Sequence, residues 1–527
     1  MLSLFMRLPT ACEGTGRPTG EGPAVTGTRS LNLGEEEFLA LAEHQARPLF
    51  VPLCTRIPLP YVNPTDVYAS LCHGPGILLE SMEGSEKIAR YSYLGWNPGL
   101  TVSLGDQVAI AGSEPLTAIA RSPEGETAVD QLRSLLQRFA HVKLRAPRFS
   151  GGMVGYFSYD LVHSLFPMVP RPGETAGGGP CGQFMLVTDC IVFDHRAREL
   201  FVFASPLLTY ESDPRREYRR SAARIQETVE RLGSLPGGEA PDGRTPAGKP
   251  PLPSSDMSRE EYCRAVERVK EHIIAGDIFQ AVISRSLECD LPADPFQVYR
   301  ALRQINPSPY LYYLDFGDRQ LIGASPEMLV RVERGRVTTV PIAGTRPRGR
   351  TPEEDARLAQ ELREDEKERA EHTMLVDLAR NDVGRVSRYG SVRVEDFMAV
   401  ERFSHVQHLV STVHGTLEEH RSGYDALKAC FPAGTVSGAP KIRAMQIIGE
   451  MEKTPRGPYA GAVGFAGFDR TLEFAITIRT ILVQGGRASF RVGAGIVADS
   501  VPENEWIETE NKGMAMMRAI EAAGGYR

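Results

Sequence analysis

LEFAITIRTILVQGGRASFRVGAGIV, residues 472–497, carries the strongest fold signal in the chain. Apolar residues dominate from Leu472 to Val483 and again from Ala488 to Val497, with Gly485-Gly486 between them. Two glycines permit the positive φ angles of a tight turn, so the stretch predicts a long antiparallel hairpin. Arg479 falls mid-strand, and counting outward from the turn sets it opposite Val492, beside Gly493-Ala494-Gly495. A guanidinium fork next to backbone that a ligand can approach suits a carboxylate. Pairing with a local acid is the other reading of the same residue.

Working outward, Ser258 and Glu261 form a capping box, and Tyr262, Val266, Val269 and Ile273 recur at helical spacing until Gly276. A strand follows over Ile278 to Arg285, with Gln280 and Ser284 on one face and Phe279, Ala281 and Ile283 on the other. Thr351, Pro352 and Glu354 open a charged helical stretch that includes Asp365 to Arg380. Within it Glu368, Glu371, Leu375 and Leu378 share one stripe. Beyond the hairpin, Ser500 and Glu503 cap a final helix with Pro502 in its first turn, and Glu505, Glu508 and Lys512 share a face. Acids on an inward stripe need a partner, because desolvating a lone carboxylate costs on the order of several kcal/mol. A hard divalent cation is one answer, and ordinary solvated charge on both helices is the other.

The 527 residues allow two domains or one large intergrown body. With 42% hydrophobic and 24% charged residues the chain has the composition of a globular protein, and a net charge of −7 without a basic run speaks against nucleic acid or a membrane surface as partner. The eight cysteines show no CxxC spacing, which fits reduced cytoplasmic thiols. No run is long and apolar enough to span a membrane, and Arg7 with the Gly/Thr/Pro-rich stretch after it makes a poor signal peptide. Residues 1–30 read as a disordered lead, 31–232 as a first region, 233–257 as a Pro/Gly/Ser-rich linker and 258–523 as the region that carries the chemistry.

Two familiar motifs are decoys. Gly493 to Ala498 matches a dinucleotide fingerprint, but no helix follows at once. Gly344 to Thr351 imitates a phosphate loop, yet arginine replaces its lysine and Pro347 removes a backbone donor. His405 and His408 make an isolated HxxH, which reads better as a packed or single catalytic histidine than as a metal pair.

Several segments, in order, resemble the chorismate-utilising enzymes, above all the anthranilate synthase component I group. They are Gly276-Asp277-Ile278-Phe279-Gln280, Asn306-Pro307-Ser308-Pro309-Tyr310, Gly323-Ala324-Ser325-Pro326-Glu327, Pro341-Ile342-Ala343-Gly344-Thr345, residues 365–372 and 375–382, residues 434–441, and residues 493–500. The first half resembles the family through Leu78-Leu79-Glu80-Ser81 and residues 90–95 and 151–157.

The resemblance implies an α+β fold with two β-sheets packed face to face and helices outside. It implies magnesium (Mg2+) held by Glu371 and Glu508, with Glu368 and Glu505 supporting through water. Arg479, Lys512, Tyr459, Thr435 and the backbone around Gly438, Gly493 and Gly495 would take the substrate's carboxylates, Gly344 and Thr345 would line the ring, and His408 would serve the late elimination of pyruvate. Gln280 stands where isochorismate-forming relatives carry a lysine that activates water, and Ala343 where aminodeoxychorismate synthases carry a nucleophilic lysine. These two positions select ammonia addition, leaving anthranilate formation or a relative that stops at aminodeoxyisochorismate. An aminodeoxychorismate synthase component I is the remaining alternative. Glu80, Ser81, Asn306, Pro307, Ser308 and Tyr312 match the family's tryptophan inhibitor region; Leu311 and Phe465 depart from its usual methionine and hydroxyl-bearing aromatic. No GxCxG nucleophile segment is present, so the resemblance implies a separate glutamine amidotransferase subunit (component II) as ammonia donor.

Overall fold

The computed structural model describes residues 30–60, 62–82, 90–142, 147–171, 179–235, 252–291, 293–403 and 406–524. The expected lead, His405 and most of the linker lie outside these residues. Two antiparallel sheets dominate, one of 12 strands and one of 11, beside a small three-stranded sheet. Ile77, Tyr93, Leu314 and Leu321 of the larger sheet share one buried cluster with Val154, Met185, Val463 and Phe465 of the other, so the two pack face to face. Helices cover the outer faces, as the resemblance implied.

Both sheets draw strands from both sides of the linker. In the larger one β1 (Gly76–Glu80) pairs with a strand some 230 residues later, setting Glu80 against Leu311. The linker therefore separates the halves in sequence and not in space.

From Ser258 the chain builds the site. Helix α1 (Arg259–Ile274) starts on the Ser258/Glu261 capping box and ends before Gly276, whose φ is +81°. β2 (Gln280–Asp290) runs five residues beyond the expected Arg285. The hairpin of β3 (Tyr310–Asp315) and β4 (Arg319–Ser325) continues the larger sheet; β5 (Ile342–Pro347) belongs to the smaller. The charged stretch is two helices, α2 (Pro352–Glu364) and α3 (Glu366–Gly384), because Asp365 leaves helical conformation and its side chain caps the second by accepting the Glu368 N–H. β6 (Val406–Thr416), β7 (Ala462–Gly467) and β8 (Leu472–Ile476) lie in the smaller sheet; β9 (Thr480–Gln484) and β10 (Arg487–Ile496) return to the larger. α4 (Pro502–Ala523) closes the described chain.

The 472–483 arm is thus not one strand. β8 pairs with β7, the chain crosses at residues 477–479, and β9 pairs with β4 and β10. Arg479 is the third residue of that crossing, with φ +50°, rather than a mid-strand residue. The ladder to β10 starts only at Ile481 and Phe490, so Arg479 faces Val492 by count but not by pairing. Apolar residues on both sides of the crossing are buried against different sheets, and that hides the break from any pattern in the sequence.

The last helix also starts differently from expectation. Val501 is its N-cap residue, and the Ser500 hydroxyl instead accepts the Val497 N–H at 3.1 Å. Pro502 in the first turn has no N–H to satisfy.

Candidate active site

The crossing places Arg479 beside β6. Its guanidinium makes no hydrogen bond or ion pair among the described residues, and burial lowers its pKa. It sits close enough to His408 to help depress that imidazole's pKa, behind burial as the first cause and against the opposing pull of Gly344. His408 Nδ1 lies 2.7 Å from the Gly344 carbonyl and 3.2 Å from the Thr345 hydroxyl. Gly344 has φ +67°, and a Cβ there would stand 3.1 Å from Glu368 Oε2, which leads from this wall to α3. Arg479, His408, Thr345, Gly344 and Glu368 are therefore neighbours.

The opposite wall comes from β2, β10 and α4. A Cβ on Gly495 would lie 2.7 Å from Gln280 Nε2, and one on Gly493 would lie 2.7 Å from the Tyr459 hydroxyl. Gln280 is 5% exposed, and its amide has no hydrogen-bond partner among the described residues. Burial pushes the Tyr459 phenol up to about 12, against the pull of Arg456. Lys512 Nζ donates to the Gly493 carbonyl at 3.0 Å and pairs with Glu508 at 2.6 Å. Gly438, at φ +141°, is demanded by packing: a Cβ would fall 2.1 Å from the Gln280 carbonyl oxygen.

The acids meet between the walls. Glu368 and Glu371 are half-buried on the stripe shared with Leu375 and Leu378, as the spacing predicts. The Glu371 carboxyl is pushed up by burial first and by Glu368 next, with Glu508 adding to the same effect. Glu371 has no hydrogen bond or ion pair among the described residues. Glu505 is likewise raised by burial, against a bond from Ser500, and then by Glu508. Glu368 is already tied to Arg346 at 3.3 Å.

All the donors are oxygens, and the unpaired one is half-buried among like charges; this chemistry fits a hard divalent cation. Among the described residues no three His, Cys, Asp or Glu side chains form a ready-made cage. Magnesium needs none, since it keeps water and substrate oxygens and takes one or two carboxylates from the protein.

Sequence reasoning assigned no role to Glu327, which the fold brings to the same place. It is buried between β4 and the 328–333 strand, it accepts the Thr435 hydroxyl at 3.1 Å, and burial pushes it up to about 8 against that bond. A carboxylic acid that keeps its proton near neutrality can donate it. A lone glutamate between strands has no periodic signature, so nothing in the pattern singles it out. Beneath Tyr459 lies a second unforeseen feature, the buried pair Glu452–Arg456 at 2.7 Å with Arg491 alongside. The phosphate-loop decoy is spent on its own helix: Asp355 and Glu354 accept the N–H groups of Gly349 and Arg350 at 2.9 and 2.7 Å.

The candidate inhibitor residues divide. A cavity between the two sheets is lined by Leu79, Glu80, Ser81, Tyr93, Tyr312 and Phe465, among others, and Leu311 reaches it too. Asn306, Pro307 and Ser308 are not among its lining residues. The Ser308 hydroxyl is turned to the Ala324 carbonyl at 3.3 Å, and Met82 N–H donates to the Ser308 carbonyl at 3.3 Å, so this turn braces the cavity from behind. Glu80 is held by Arg303 at 3.1 Å and by the Tyr299 hydroxyl at 2.5 Å. The missed charged wall is Glu473, bound by Arg148 at 3.0 Å and Arg331 at 3.3 Å.

Face-to-face sheets with this cleft of unpaired arginine, acids and neutral histidine define a class. The chain belongs to the chorismate binding enzyme family, whose profile matches residues 77–518. Among similar proteins are anthranilate synthase component 1 of Acetivibrio thermocellus, 46% identical over 85% of this chain and 91% of that one, and of Aquifex aeolicus, 42% identical over 94% and 99%. The crystal structure of anthranilate synthase component I from Streptococcus pneumoniae matches with a TM-score of 0.68 at 37% identity, covering 83% of this chain and 95% of that one.

Proposed function

We propose that this chain is the large subunit of an anthranilate synthase, converting chorismate and ammonia to anthranilate and pyruvate for tryptophan biosynthesis. The observation that carries this reading is the unpaired Arg479 guanidinium beside a neutral His408, an anion clamp next to a proton acceptor. The named relatives support it over a relative that stops at aminodeoxyisochorismate and over an aminodeoxychorismate synthase. So do Gln280 and Ala343, neither of which can activate water or attack as an amine.

Arg479 and Lys512 clamp and orient the substrate's carboxylates. Glu327 holds a proton for the departing C4 hydroxyl while ammonia adds at C2. The Gln280 amide offers a donor and an acceptor to that nucleophile without competing as a base. His408 Nε2 then takes the C2 proton as pyruvate leaves and the ring becomes aromatic. Glu371 and Glu508 would hold magnesium, with Glu368 and Glu505 behind them, and the ion would supply Lewis-acid polarisation of the ring carboxylate. Ammonia would come from a separate glutamine amidotransferase subunit, and tryptophan would occupy the cavity between the sheets as inhibitor. The seven described cysteines are all free, in keeping with a cytoplasmic setting. Chorismate, ammonium and magnesium at mildly alkaline pH should yield fluorescent anthranilate; chorismate loss without it would sink the assignment.

A further inference from the structure

Tyr312, Gly323 and Thr480 stand side by side on β3, β4 and β9: Tyr312 is opposite Gly323, and Gly323 is opposite Thr480. A Cβ on Gly323 would fall 2.2 Å from the Tyr312 Cζ. The tyrosine ring thus lies across bare backbone and reaches the next strand but one, where its hydroxyl is hydrogen-bonded to Thr480 Oγ1. The Thr480 hydroxyl donates onward to the Ile478 carbonyl at 2.9 Å, so the tyrosine is the donor in the first bond. The Arg479 carbonyl accepts the Ala324 N–H at 3.2 Å. These bonds close around Arg479, whose φ of +50° is one that a side-chain-bearing residue keeps only where its surroundings enforce it.

The same tyrosine lines the cavity between the sheets. Glu473 and Ala475 line it as well, on β8, the strand that runs into the crossing at residues 477–479. The cavity lining therefore adjoins both ends of the Arg479 turn, through Tyr312, which is bonded to Thr480, and through β8.

We propose that Tyr312, acting through Thr480, is a positioning residue for Arg479, and that a ligand in the cavity alters chorismate binding by shifting this pair. The second half rests on reading the cavity as the tryptophan site; the first half does not.

Thr480→Val keeps the branched shape, removes the hydroxyl and leaves the cavity lining intact. It should raise the KM for chorismate about tenfold or more while kcat changes less than about threefold, because Arg479 acts on binding. In an Arg479→Ala background the same change should add little, since a relay has nothing left to position. Tyr312→Phe should reproduce the KM effect. Tryptophan should still bind Thr480→Val by calorimetry within about threefold of the parent, yet shift the chorismate KM far less. An unchanged KM in folded Thr480→Val, or full additivity with Arg479→Ala, would overturn the positioning role. Undiminished inhibition in Thr480→Val would overturn the coupling. If the parent protein bound no tryptophan, the inhibitor reading would fail alone, and the KM cycle would still decide the rest.

Discussion

The imidazole Nδ1 of His408 lies 2.7 Å from the carbonyl oxygen of Gly344, and that contact fixes the tautomer of the ring. A carbonyl only accepts, so Nδ1 carries the proton and Nε2 keeps its lone pair. Burial and the Arg479 charge hold the ring neutral below the ordinary histidine range.

Replacing His408 by methionine keeps the bulk and removes both nitrogens. Chorismate should still be consumed, while anthranilate formation falls roughly 10²- to 10⁴-fold. Mass spectrometry should then find the unaromatised amino intermediate. Anthranilate at the parent rate would remove His408 from the reaction.

Glu327, pushed up to about 8 by burial, is protonated below that pH and can donate only in that form. The pH profile of kcat/KM should show an alkaline limb near 8, absent in Glu327→Gln, whose rate should fall on the order of 10²-fold or more. The same raised value makes a stability statement. Burial of the neutral acid favours folding fully below the unfolded value of 4.5, and that contribution is lost as pH rises through about 8. An alkaline limb that persists unchanged in Glu327→Gln would assign it to another group.

Magnesium dependence should track the acids between the walls. EDTA should abolish activity, and Glu371→Gln or Glu508→Gln should raise the magnesium concentration for half-maximal rate by about tenfold or more. Full activity in excess chelator would refute the proposed metal.

Arg285 is 1% exposed; it lies 3.8 Å over the Trp506 ring and donates to the Thr509 hydroxyl at 3.0 Å, to the Ser255 hydroxyl at 3.4 Å and to Glu510. It therefore pins to β2 the helix that presents Glu505 and Glu508. Arg285→Ala should cost roughly 3 kcal/mol in denaturant unfolding, through the cavity and the lost cation–π contact. No loss of stability in Arg285→Ala would remove it as the pin of this helix.

Much of the site was legible before any coordinates. The stripe that joins Glu368 and Glu371 to Leu375 and Leu378 is set by helical spacing, and the structure turns those acids inward. The capping box at Ser258 and Glu261 fixed where α1 begins. Such features depend on contacts within one helical turn, which spacing encodes directly. The side-chain directions of Asn306, Pro307 and Ser308 are not legible there, for the complementary reason. Their turn lies next to the cavity strands, but whether a side chain faces the cavity or braces it depends on packing against Met82 and Ala324, far away in sequence.

By itself, then, the sequence determined the hairpin turn at Gly485-Gly486, the helix that carries Glu371, and the choice of Gln280 and Ala343 over lysine, because local spacing and side-chain chemistry suffice for each. Only the tertiary structure decided that the arm from Leu472 to Val483 breaks between two sheets, that Arg479 sits at the break without a hydrogen-bond or ion-pair partner among the described residues, and that Glu327 is buried deeply enough to keep its proton against the bond from Thr435. Burial and proximity between distant strands set all three, and no periodicity within a single segment records them.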